Sequence, residues 1–86
     1  MKVAVWDTYV TKKEGGLMHF DILAPDNVRE LSVIHEYGKQ YLATKGQQEQ
    51  PLTAAECRFC HIEQATDDVV ADIEAKGYHI IEMQGC

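Results

Sequence analysis

KVAVWDTYVTKKEGGLMHFDILA, residues 2–24, consists of two runs rich in β-branched and aromatic residues on either side of a turn signal. A three-residue loop, Lys13-Glu14-Gly15, with Gly15 in the left-handed region, closes a hairpin of common geometry. That loop sets the register: Val10 faces Met18, Thr8 faces Phe20, Trp6 faces Ile22 and Ala4 faces Ala24. Side chains alternate along a strand, so these residues share one almost wholly apolar face, the expected core face. The opposite face carries Val3, Val5, Asp7 and Tyr9 against Leu23, Asp21, His19 and Leu17. A slip of one residue would mix the two sets and lose the segregation.

The rest of the chain must fit around this ribbon. Eighty-six residues make a single domain, 1–86, able to bury roughly 60–65% of its unfolded surface. A hydrophobic content of 45% with 26% charged residues is that of an ordinary folded protein. Lys+Arg 8 against Asp+Glu 14 gives a net charge of −6, which argues against nucleic acid or an anionic membrane surface as partner. No apolar run is long enough to span a membrane and the N-terminus lacks a signal-peptide core, so the expected location is cytoplasmic. Three cysteines there read as free thiols, metal ligands or a redox pair rather than a structural bridge.

Beyond the hairpin, helical spacing of Val28, Leu31, Ile34, His35, Gly38, Tyr41 and Leu42 predicts a helix opening near Asp26 or Asn27 and ending before Gly46. KGQQEQPLTAAE reads as a polar surface connection, and CRFCHI as a strand. TDDVVADIEAKG predicts a short helix with Thr66 as cap, Asp67 and Asp68 in the first turn and Gly77 as terminator. YHIIEM is the last strand. The order ββαβαβ, with a right-handed crossover joining the last two strands, predicts an α+β fold: a single two-layer domain with a mixed four-stranded sheet and two helices on one face.

Four segments, VWDTYV, MHFDI, ECRFCHIE and GYHIIEMQGC, together resemble a family of small bacterial proteins grouped as domain of unknown function 2024. The resemblance runs through nearly the whole chain. It implies an isolated α+β domain and supplies no catalytic residue to carry over.

Two groups of residues could carry chemistry. Cys57-x-x-Cys60-His61 matches the haem-attachment pattern, but such maturation normally follows export. As a zinc site, Cys57 and Cys60 need partners from His61, His79 or Cys86, and no second CxxC exists. As a redox pair they must share a face, whereas a fully extended strand puts them on opposite faces. The plain alternative is two buried thiols packing as small hydrophobes. In the second group, Asp7 faces Asp21 across the hairpin with His19 and Tyr9 one step along, a set suited to general acid/base work or a hard metal ion, or else simply a solvated sheet face. Val3, Val5, Leu17 and Leu23, if exposed together, would form an apolar patch. With no complete catalytic constellation, the expected function is a binding module for a protein partner or a second copy, with a metal or thiol site at the CxxCH motif as the alternative; no cofactor is expected except possible zinc.

Overall fold

The computed structural model describes residues 1–86. Its elements run in the order β1 (Lys2–Thr11), β2 (Leu17–Pro25), α1 (Leu31–Thr44), β3 (Cys57–Gln64), α2 (Asp67–Lys76) and β4 (His79–Gln84). The domain is α+β, and the hairpin has the expected register, from Ala4 opposite Ala24 to Val10 opposite Met18. Gly15 and Gly16 both take positive φ, 91° and 88°, and the Lys12 N–H bonds the Gly16 carbonyl at 3.0 Å to close the turn.

The sheet is antiparallel throughout, in the order β3-β1-β2-β4, rather than mixed. A hairpin leaves two open edges, and one later strand satisfies the backbone groups of each. β3 and β4 are therefore not neighbours, and the handedness rule for parallel crossovers has nothing to act on. The helices also lie on opposite faces, which makes three layers instead of two. α1 supplies Ile34, Tyr41 and Leu42 to a cluster with Trp6, Val10, Met18, Phe20 and Ile22. α2 places Val69 and Ile73 over Val3, Val5 and Leu23. The two central strands are thus covered along their whole length on the α1 side and over one half on the other, and Val3, Val5 and Leu23, expected to form part of a surface patch, lie beneath the chain's own helix. Leu17, the fourth residue of that expected patch, stands exposed.

Two local differences have simple causes. α1 starts at Leu31 rather than at Asp26, because the Asp26 N–H is used by the Lys2 carbonyl at 3.2 Å and the Val28 N–H then closes a turn onto Pro25. The connection after α1 is not purely a surface loop: Leu52 is buried and sits over Gly38, where a Cβ would come within 2.5 Å of it. Gln47, also buried, accepts from the Lys13 N–H and donates to Glu14, both at 2.8 Å, tying that loop to the hairpin turn. α2 has Asp67 and Asp68 at its positive end and Gly77 closing it at φ 96°, as its sequence predicts, with Thr66 at the cap position but its side chain making no cap hydrogen bond.

Candidate metal centre

Ten helical residues cover about 15 Å, while ten strand residues extend about 33 Å. α2 therefore roofs only one half of the outer face. The other half is open, and its polar residues are those that the hairpin register places there: Asp7 opposite Asp21 and Tyr9 opposite His19. His19 Nε2 lies 2.7 Å from Asp7 Oδ1 and 3.9 Å from Asp21 Oδ1. One ligating atom from each of the three residues falls within 4.8 Å of the other two. Tyr9 stacks on the His19 ring at 4.1 Å between centroids and fixes its plane.

The electrostatics of the cluster are unbalanced. Asp21 Oδ1 is shut off from solvent and has no hydrogen-bond partner. Burial, followed by the adjacent Asp7 carboxylate, pushes the Asp21 carboxyl up to about 6, with His19 and His61 pulling weakly the other way. The hydrogen bond from His19 holds Asp7 below its ordinary value. Two carboxylates face each other with one imidazole between them, and a proton or a cation relieves the arrangement.

Two further groups border the cluster from β3. Arg58 pairs with Asp7 in the strand register yet forms no ion pair, and His61 pairs with Val5 one row away. Asp7, Tyr9, Ala55, Glu56 and Arg58 line a cleft of about 270 Å³ beside the cluster. The largest cavity, about 380 Å³, is formed by α1 and the loop around Leu52 and holds no group of ligating side chains.

Cys57 does not converge with the other two residues of the CxxCH motif, whereas Cys60 and His61 meet, Sγ to Nδ1, at 3.2 Å. Cys57 is buried on the α1 side, where it accepts from Thr8 Oγ1 at 3.4 Å and where burial raises its thiol above the ordinary range. Cys60 is exposed and falls at a bulge: Trp6 pairs with Phe59 and Val5 with His61, leaving Cys60 without an opposite number. The extra residue turns Cys60 and His61 toward the same, outer face. His79 is engaged by Asp72 at 2.5 Å on the far edge of the sheet. Cys86 lies beyond β4, 3.5 Å from the His19 carbonyl. All three thiols are free. The Asp7–His19–Asp21 juxtaposition follows from the hairpin register alone; the approach of Arg58 and His61 depends on which edge β3 takes, and no local signal specifies that.

The family model described as "Domain of unknown function (DUF2024)" matches residues 1–83. The chain is similar to the NMR structure of protein NE1680 from Nitrosomonas europaea, with 43% sequence identity and a TM-score of 0.86 over 100% of this chain and 99% of that one. No curated protein matches. No helix is long and apolar enough to cross a membrane.

Proposed function

We propose, for a chain that belongs to the DUF2024 family, that its function is to bind a divalent transition-metal ion through Asp7, His19 and Asp21. The observation that carries the reading is the convergence of one imidazole nitrogen and two carboxylates from adjacent strands, one of them with a buried oxygen that nothing in the protein satisfies. Ligands at metal–donor distances of about 2.1 Å in a facial arrangement stand about 3 Å apart. His19 and Asp7 already meet that spacing, and Asp21 lies about an ångström beyond it. Oxygen-rich donors with a single imidazole favour Mn²⁺, Fe²⁺ or Zn²⁺ over a soft ion, and three protein ligands leave positions open for water or a bound molecule. Arg58, unpaired at the rim, suits an anionic group on that molecule.

Calorimetric titration of chelator-treated protein with Zn²⁺ and with Mn²⁺ tests the proposal. The expected result is one ion bound per chain, with binding abolished in Asp21→Asn and in His19→Gln. Absence of binding by the wild type, or binding by either variant as tight as the wild type's, refutes it.

A second reading, a binding module for a protein partner or a second copy, rests on a different surface from the one the sequence suggested. On the edge strand β3, Phe59 and Ile62 are 53% and 42% exposed beside unpaired backbone groups. Light scattering tests self-association there: a concentration-dependent dimer that Ile62→Lys dissolves supports it, and a monomer throughout removes it.

A further inference from the structure

The β3 edge holds a second constellation, separate from the three ligands above. His61 Nδ1 lies 3.2 Å from Cys60 Sγ, and His61 Nε2 lies 3.5 Å from Glu63 Oε2. Thiol, imidazole and carboxylate thus stand in line, the order in which a nucleophile, its base and the group that orients the base are arranged. The bulge makes this possible, because regular alternation would send Cys60 and His61 to opposite faces. All three side chains reach solvent.

We propose that Cys60 is a nucleophilic thiol that exchanges with low-molecular-weight disulfides, with His61 as its base and Glu63 as the positioning residue. The Cys60 S–H proton passes to His61 Nδ1, and the thiolate attacks one sulfur of an R–S–S–R disulfide. A Cys60–S–S–R bond forms as the R–S–S–R bond breaks, and the departing RS⁻ takes the proton back from the imidazolium, leaving RSH. No other oxidant enters. The mixed disulfide then persists, because neither remaining cysteine can resolve it. Cys57 is buried on the opposite face, and Cys86 sits beside β2, two strand spacings or about 10 Å across the sheet and about three residues further along it, beyond the reach of a disulfide. The outcome is a single-thiol modification site rather than a dithiol oxidoreductase.

Cys86, exposed in the same molecule, is the internal control. Chelator-treated protein is mixed with oxidised glutathione, and each cysteine's labelling rate is read by mass mapping of peptides. Cys60 is expected to react about tenfold faster than Cys86, and Cys57 only on unfolding. His61→Ala brings the Cys60 rate down to that of Cys86 and leaves Cys86 unchanged. Glu63→Gln slows Cys60 by a smaller factor, and Glu63→Asp restores it. Equal rates at Cys60 and Cys86 in the wild type, or an unaltered Cys60 rate in His61→Ala, overturn the proposal. Because the metal is removed throughout, either result is independent of whether Asp7, His19 and Asp21 bind an ion.

Discussion

Replacing Asp21 by Asn should stabilise the metal-free protein while destroying its site. An aspartate in the unfolded chain gives up its proton near 3.8, whereas folded Asp21 holds it to about 6. Between those values the folded state binds more protons, so stability falls as pH rises through the window and stays reduced above it. A shift of about two units corresponds to at most about 3 kcal/mol. The side chain keeps 17% of its exposure, so water screens part of this, and about 1–2 kcal/mol is the expected penalty at neutral pH. Asn removes the charge, keeps the shape and can donate to Asp7. Urea unfolding in the presence of chelator should therefore show the variant more stable by about 1–2 kcal/mol at about pH 8, with the gain shrinking as pH falls below about 6 and vanishing only below about 3.8, where the aspartate is protonated in both the folded and the unfolded chain. A variant less stable than wild type at pH 8, or a difference that does not change with pH, refutes the reasoning. Added metal should reverse the order, since only the wild type gains stability by binding.

Other parts of the fold give equally direct outcomes. Gly38→Ala pushes a Cβ to within 2.5 Å of Leu52 and 3.0 Å of Ile22, and should cost about 1–3 kcal/mol in chemical denaturation; a neutral result would mean that the Leu52 loop yields freely. Ile73→Ala should cost about 2–4 kcal/mol and raise binding of an apolar dye as α2 loosens from Val3, Val5 and Leu23. Tyr41, buried and donating to Glu82 at 2.5 Å, ionises above the ordinary tyrosine range, as does buried Tyr78. Spectrophotometric titration of Tyr41→Phe should accordingly show one fewer tyrosine ionising above the ordinary range than the wild type.

The hairpin was legible because two independent signals agree: loop length fixes one register, and that same register alone separates Trp6, Phe20 and Ile22 from Asp7 and Asp21. The Asp7–His19–Asp21 cluster is a direct corollary of it. α2 was legible from its ends, Asp67-Asp68 and Gly77. The placement of everything on the two faces was not, since Val3, Val5 and Leu23 require a cover without saying whether it is a helix or another molecule. Nor was the edge chosen by β3, which is decided by long-range pairing. Alternation alone separates Cys57 from Cys60, but the meeting of Cys60 with His61 turned on a single bulge at Cys60, a backbone event with no glycine or proline to announce it. Leu52 was hidden by its polar neighbours, although Gly38 in the middle of an apolar stripe hinted that something would pack closely there.

The order of manufacture adds a consequence to the three-layer arrangement. β1 and β2 leave the ribosome before the other elements of the fold, with apolar side chains on both surfaces, and α1 follows to shield one of them. The second shield, α2, is encoded only from residue 67, and the strand that seals the β2 edge comes later still. Until α2 forms, the nascent chain therefore presents Val3, Val5 and Leu23 to its surroundings, the kind of exposed apolar surface that makes a folding intermediate prone to aggregate. Truncations after β3 should reproduce that intermediate permanently, and should be recovered from cells as inclusion bodies.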